Sequence, residues 1–237
     1  MNISHLQILN ELKKYPPRPA KHNAKNYIGS GSIQYHVSNP IKWKIASEWK
    51  KKNKNISYEE FKALLYSLNE GKSHDEKSFV GRLLQLFPQY RNLILPKDLD
   101  MWLENVRGWA EVDGLCQNNF TYQDFFQDWK LWEKMIRSFS KDKNVHKRRA
   151  SLVLLTGPVN YSPDKRLSAL SFEMIEQLKH EKDILIIKAI SWLLRSLIKH
   201  HKSQVAAYLK KNKDSLPKIA LREASYKLVF GVKRKLA

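Results

Sequence analysis

A tryptophan and an aspartate lie four residues apart in the segment 107–113, which reads RGWAEVD. Four residues are about one turn of an α-helix, so the side chains of Trp109 and Asp113 project from one side of a helix. The face of an indole attracts cations, and a neighbouring carboxylate attracts them by charge. The spacing therefore predicts a site for a cationic group.

The chain as a whole is strongly basic. Its 237 residues include 43 Lys and Arg against 23 Asp and Glu, a formal net charge of +20. So large an excess points to nucleic acid or an anionic surface as partner, although solubility alone is the simpler explanation. A purine alkylated within duplex DNA would meet both conditions, because the base is a cation and the duplex is a polyanion.

Cysteine usage and hydropathy indicate the compartment. The one cysteine, Cys116, allows no internal disulfide, which fits a reducing interior better than secretion. The first residues lack the cationic start and apolar run of a signal peptide, and no stretch reaches the ~18–20 apolar residues that span a bilayer. We therefore expect a cytoplasmic protein without a membrane partner.

Helical spacing of apolar residues recurs along the chain. An Asn-Pro start predicts a helix from residue 39, a Ser-x-x-Glu capping box predicts another from residue 57, and a third is expected to end before Pro88. The same spacing predicts helices at about 97–106, 109–118, 121–139, 145–156, 164–179, 183–200, 202–211 and 217–228.

Short helices joined by short loops predict an all-α fold. We expect an α-solenoid of stacked antiparallel HEAT-like helix pairs with a concave basic face, in one domain over residues 1–237. An irregular helical bundle is the alternative.

Two segments do not show the helical spacing of apolar residues. Residues 15–39, with their Pro, Gly and Ser, are expected to be a connection between helices, and residues 229–237 a short basic tail.

Other residues are considered for chemistry. No metal site and no cofactor motif is expected, because the adjacent His200 and His201 point apart on a helix and no dinucleotide fingerprint occurs. Arg149 directly precedes an apolar run, so its guanidinium needs a partner, either a phosphate or an internal carboxylate. Lys188 and Trp192 share a helix face with Arg195 nearby, and Trp192 is either core or a stacking platform for a ligand.

Four segments together resemble the helices of one family. They read VRGWAEVDGL, HKRRASLVLL, IIKAISWLLR and PKIALREASYKL. In this order and at this spacing they resemble the DNA alkylation repair family, the AlkD-like DNA glycosylases built from HEAT-like repeats. The resemblance covers most of the chain and is clearest over residues 99–228.

The resemblance implies an activity and its residues. Asp113 matches the catalytic aspartate, Trp109 and Trp192 match the tryptophans that contact the lesion, and Tyr27 matches a tyrosine near the site. The implied reaction hydrolyses the N-glycosidic bond of an N3- or N7-alkylated purine and leaves an abasic site. It needs no cofactor, and the base is not flipped into a pocket.

The resemblance also implies a DNA-binding surface. Arg149, rather than its neighbour Arg148, falls on the arginine that contacts the DNA backbone. Lys188 and Arg195 are expected on phosphates as well. The implied partner is alkylated double-stranded DNA, and we expect a monomer.

The chain departs from the family pattern at three places. Gly108 stands where a second aromatic residue often precedes the tryptophan. Glu111 adds a carboxylate that the typical member lacks. The stretch 33–39 lacks the usual pattern with a polar site residue, and Ser38 or Asn39 stands there. These departures bear on substrate range more than on reaction type.

Two other functions are compatible with the sequence. One is a non-catalytic HEAT-like protein that recognises damaged or branched DNA, and the other is an interaction scaffold for an acidic protein. Asp113 favours the enzyme, because a carboxylate facing phosphates would only weaken a pure DNA binder.

Overall fold

The structure, a computed structural model, describes residues 2–15, 29–30, 32–35 and 37–233. These residues form thirteen α-helices, and strand-type pairing among them is limited to an isolated bridge between Ile33 and Ser73. The all-α prediction is confirmed. No helix of the described part is long and apolar enough to cross a bilayer.

The chain divides into two compact units, Met1–Leu115 and Cys116–Ala237. The first contains α1 (Ile3–Lys13), α2 (Asn39–Lys52), α3 (Tyr58–Asn69), α4 (His74–Leu86), α5 (Pro88–Arg91), α6 (Pro96–Glu104) and α7 (Trp109–Cys116), whose last residue lies across the boundary. The second contains α8 (Tyr122–Gln127), α9 (Trp129–Ser140), α10 (Val145–Tyr161), α11 (Lys165–Leu178), α12 (Ile184–Lys211) and α13 (Lys218–Phe230). The single domain of the sequence analysis stays a prediction.

Helices pack on near neighbours in sequence. In the first unit α1 packs on α2 and α3, and α4 packs on α2 and α3. In the second unit α10 lies between α9, α11 and α12, and α12 also packs along α13. Packing between successive helices and between alternate ones is typical of an α-solenoid. The predicted concave basic face stays a prediction.

Apolar side chains fill the interior of each unit. Phe61, Phe79 and Trp102 are fully buried in the first unit, and Phe125 and Leu193 in the second. Such burial contributes about 1.5–3 kcal/mol per large side chain and dominates the free energy of folding. Because this packing fixes the helices relative to their neighbours, the polar residues between them have defined positions.

Two helix boundaries differ from the sequence prediction. The predicted helix 121–139 is wrong, because Asp128 has φ −144° and ψ 73° and separates α8 from α9. Its carboxylate accepts the N–H of Leu131 at 3.1 Å and so caps α9. The helix from 145 runs through Pro158 to Tyr161, beyond the predicted end. The predicted break near residue 201 is confirmed, because His201 has φ −128° and ψ 35°.

Replacing the Asp128 cap tests this assignment of the boundary. Asp128→Ala leaves the first N–H groups of α9 without that acceptor, so we expect the free energy of unfolding to fall by about 1 kcal/mol. Urea titration followed by circular dichroism measures it. Asp214→Ala, at another exposed aspartate, is the control and should stay within about 0.5 kcal/mol of wild type. An Asp128→Ala protein as stable as this control would contradict the cap.

Candidate functional site

Helix α7 presents two different sides. The carbonyl of Gly108 accepts the N–H groups of Glu111 and Val112 at 3.2 Å each, so the helix begins at Trp109. Trp109 and Asp113 are partly buried, as the predicted shared side requires, whereas Glu111 is buried. Each helical residue turns the chain by about 100°, which places residue 111 roughly opposite residue 109. The added carboxylate of Glu111 therefore lies on the side of α7 opposite Trp109 and Asp113.

The Glu111 carboxylate is engaged by several donors. The hydroxyl of Ser30 donates to Oε1 at 2.7 Å, and the backbone N–H of Arg107 donates to Oε2 at 2.8 Å. Nδ1 of His74 lies 3.6 Å from Oε1, a separation typical of an ion pair rather than of a hydrogen bond. Only 3% of Glu111 is exposed. Its charge is satisfied inside the protein.

These partners decide the protonation of Glu111. Burial raises the pKa of a carboxyl group, but here the imidazole of His74, the hydroxyl of Ser30 and the N–H of Arg107 outweigh it. The pKa of Glu111 is lowered to about 2. Glu111 is therefore an ionised structural group at neutral pH, and it is not poised to act as an acid.

The segment before α2 is fastened to both α4 and α7. Its residue Ser30 is buried and binds Glu111, as above. Further along, the carbonyl of Ile33 accepts the N–H of His74 at 2.7 Å, and the N–H of Tyr35 donates to Asp75 at 2.5 Å. We call residues 29–30 and 32–35 the connecting segment. Tyr27, predicted near the site, lies outside the described residues.

Gly29 lies against the predicted site tryptophan. A Cβ added to Gly29 would come within 3.0 Å of Cδ1 of Trp109. Gly29 also has φ +63°, a left-handed conformation that favours glycine. The backbone of the connecting segment therefore lies against the edge of the indole and leaves little room for a side chain at residue 29.

Sequence reasoning missed Ser30 and His74. The sequence did contain a signal for such donors. Glu111 is two residues from both Trp109 and Asp113, so its carboxylate points to the opposite side of the same helix. A buried carboxylate needs donors. The sequence alone does not identify those donors, because they are 81 residues away in the case of Ser30.

In the second unit, Trp192 borders a basic cavity. The cavity has a volume of about 320 Å³, and its lining includes Trp192, Arg195, Asn160 and Lys227. Arg195 donates to the carbonyl of Ser191 at 3.1 Å, and its carbonyl accepts from Lys227 at 2.9 Å. Burial lowers the pKa of both Arg195 and Lys227. Trp192 is thus partly buried at a cavity edge rather than enclosed in the core.

The other predicted DNA contacts differ in exposure. Lys188 is exposed on α12. Arg148 binds both carboxylate oxygens of Glu181, at 2.6 and 3.1 Å. Arg149 is 4% exposed, and its guanidinium donates to the carbonyl of Leu185. The expectation that Arg149 lies at a buried edge is confirmed, and its contact with a DNA backbone stays a prediction.

The described residues contain no group of three or more His, Cys, Asp or Glu that could hold a metal ion. Cys116 is a buried free thiol. The structure instead brings together two sets of polar and aromatic side chains. They are Trp109, Glu111, Ser30 and His74 within the first unit, and Trp192 with Arg195 and Lys227 within the second.

Comparison with known proteins finds a family model and solved structures that match the chain. A family model described as DNA alkylation repair enzyme matches residues 8–228. Among solved structures, the chain is similar to one described as "Predicted DNA alkylation repair enzyme from Enterococcus faecalis", with a TM-score of 0.73 and 17% identity over 92% of this chain and 99% of that chain. At this identity the likeness shows the fold alone. No curated protein matches the chain.

The stability contributed by Glu111 should depend on pH. Its folded pKa of about 2 lies below the ordinary value of 4.5, so the contribution is complete above about pH 4.5 and is lost as the pH falls towards 2. We expect wild type to exceed Glu111→Gln by about 3 kcal/mol in unfolding free energy at pH 7, at about 1.4 kcal/mol per pKa unit. The difference should shrink between pH 4.5 and 3.

Urea titrations from pH 7 to pH 3 measure this difference. The control is Glu48→Gln, because Glu48 is exposed and its ion pair with Lys44 is 3.9 Å long. Such surface pairs contribute about 0–1 kcal/mol, so the control difference should be small at every pH. A Glu111→Gln difference that did not change with pH would show that the carboxylate is not ionised in the folded state.

Proposed function

Because this chain belongs to the DNA alkylation repair enzyme family, we propose that it is a DNA glycosylase for cationic N3- or N7-alkylated purines in duplex DNA. It would hydrolyse the N-glycosidic bond and leave an abasic site. The observation that carries the proposal is helix α7, on which Trp109 and Asp113 share a partly buried side while Glu111 is bound on the opposite one.

The chemistry needs little help at the base. Alkylation at N3 or N7 leaves a positive charge on the purine, so the base departs with the bonding electrons as a neutral molecule. Positive charge then develops on the sugar, in a transition state like that of glycoside hydrolysis. Asp113 supplies a negative charge near that sugar, and it orients the water that attacks C1′ and accepts its proton.

The two carboxylates of α7, Glu111 and Asp113, are proposed to have different roles. Glu111 is occupied by the hydroxyl of Ser30 and the N–H of Arg107, so it has a structural role. Asp113 is the carboxylate on the side of Trp109. Asp113 is partly exposed and Glu111 is buried, and this difference in exposure supports Asp113, and not Glu111, as the catalytic residue.

Recognition of the lesion is assigned to aromatic faces. Trp109 and Trp192 would each attract a cationic nucleotide with about 0.5–2 kcal/mol. A normal purine lacks this attraction, and it is also a poor leaving group. Selectivity for alkylated bases would therefore come from charge in both binding and chemistry. Tyr27 is proposed to lie near the same lesion.

The DNA backbone would be held by cations of the second unit. We assign this role to Lys188, Arg148, Arg149 and Arg195, within a chain of net charge +20. Contacts to phosphates carry no sequence information, so binding should be strongly salt-dependent and weakly sequence-specific.

Release of free base tests the catalytic proposal. Wild type should release 7-methylguanine or 3-methyladenine from alkylated duplex DNA at low salt. In Asp113→Asn the single-turnover rate should fall about a hundredfold or more, because a neutral amide neither stabilises the sugar cation nor accepts a proton. Liquid chromatography of the released base gives the rate, and fluorescence anisotropy gives the DNA affinity.

Asp214→Asn, at an exposed aspartate of the second unit, is the matched control and should keep the wild-type rate. Asp113→Asn should bind DNA within a few-fold of wild type. If wild type bound DNA tightly yet released neither base, the chain would be a non-catalytic DNA binder.

Salt dependence tests the backbone contacts. Each phosphate contact contributes about −0.9 to the slope of log K against log salt concentration. Lys188→Gln should therefore make the slope less negative by about one contact. Lys130→Gln, an exposed lysine outside the proposed contacts, should leave it unchanged. Equal slopes for Lys188→Gln and wild type would remove Lys188 from the interface.

A further inference from the structure

We infer that Ser30 and Glu111 are positioning residues, whose buried hydrogen bond holds Gly29 against Trp109 and so sets the orientation of that indole. The inference rests on the proposed function and deepens it, because it says how a site tryptophan is held in the pose that a cationic base requires. Neither residue would touch the substrate.

The contact with Trp109 is made by backbone. A Cβ on Gly29 would lie 3.0 Å from Cδ1 of the indole and 3.7 Å from Nε1, so Gly29 covers the edge of the five-membered ring. Its φ of +63° is strained for any residue with a side chain. Glycine therefore allows this approach in two ways, by its shape and by its conformation.

The position of Gly29 is set by its neighbour. Ser30 is 1% exposed, and its hydroxyl donates to Glu111 at 2.7 Å. Glu111 is itself fixed by the N–H of Arg107 at 2.8 Å, just before α7. Glu111, which binds Ser30, and Trp109, whose indole Gly29 contacts, thus belong to the same helix. The buried Ser30–Glu111 bond therefore resists a shift of Gly29 away from Trp109.

Orientation matters for a cation on an aromatic face. The attraction requires the charge over the ring, within about 6 Å of its centre. A displacement of about 1 Å in a catalytic site costs up to a hundredfold in rate. A loosened Trp109 would therefore lower the rate of base release more than the affinity for DNA, because phosphate contacts dominate that affinity.

The decisive variant is Ser30→Ala, which removes the hydroxyl that donates to Glu111 and that accepts the N–H of Ser32 at 3.1 Å. Circular dichroism checks that the variant is folded. Its single-turnover rate of base release should fall about tenfold, with the Kd for undamaged DNA within about twofold of wild type. Ser32→Ala, in the same connecting segment, is the control and should keep the wild-type rate. Glu111→Ala, which removes the acceptor of the Ser30 hydroxyl, should lower the rate as well. The Ser30→Ala/Glu111→Ala double variant should lose less than the sum of the two single losses, because both changes break the Ser30–Glu111 bond.

A second readout does not depend on activity. Acrylamide quenching of Trp109 fluorescence is obtained by subtracting the signal of Trp109→Phe, in the wild-type and in the Ser30→Ala background. We expect the Trp109 quenching constant to rise in Ser30→Ala and to stay unchanged in Ser32→Ala. This measures the hold of Gly29 on the indole directly.

The outcomes are distinguishable. Unchanged quenching in Ser30→Ala overturns the inference, whatever the rate does, and so does an unchanged rate in an active protein. Strictly additive rate losses in Ser30→Ala/Glu111→Ala would also overturn it. If wild type releases no base, the proposed function fails, and the quenching comparison alone then decides whether Ser30 and Glu111 position Trp109.

Discussion

The arrangement around α7 depends on one constraint, the cost of burying the Glu111 carboxylate. Removing an ion from water costs several kcal/mol, and the interior recovers this only with well-placed donors and countercharge. The hydroxyl of Ser30 and the N–H of Arg107 donate hydrogen bonds to the carboxylate, and the imidazole of His74 lies 3.6 Å away. To satisfy that carboxylate, the connecting segment must return to α7 and α4, and this return places Gly29 on Trp109.

The same device recurs at the start of α4. Asp75 forms an ion pair with Lys42 of α2 at 2.5 Å and accepts the N–H of Tyr35. Burial lowers the pKa of Lys42 in spite of the attraction of Asp75. Next to it, Glu76 meets His5 of α1 at 2.9 Å. Apolar packing holds the helices of the first unit together. These carboxylates add direction, because each reaches its partners only at one helix register.

Sequence patterns predicted what is local. Apolar spacing and capping residues located most helices, and the four-residue spacing placed Trp109 and Asp113 on one side of α7. The break at Asp128 was missed, because a lone aspartate within an apolar periodicity looks like a surface residue until its backbone leaves the helical region. The partners of Glu111 and Arg149 were not predictable, since they come from distant segments and depend on packing. The apolar run after Arg149 predicted that its side chain is buried. It did not predict that the carbonyl of Leu185 accepts from the guanidinium.

Two neighbouring carboxylates can have opposite roles because helix geometry gives them different surroundings. Asp113 lies one turn from Trp109 and stays partly exposed, whereas Glu111 lies between them in sequence and faces the interior. Environment, rather than residue type, separates the catalytic role proposed for Asp113 from the structural role of Glu111. Gly108 places no aromatic side chain directly before Trp109 in the sequence, and the backbone of Gly29 lies against the indole. The backbone of Gly29 contributes no aromatic ring. The cation-binding surface that we propose for the first unit is therefore the face of Trp109.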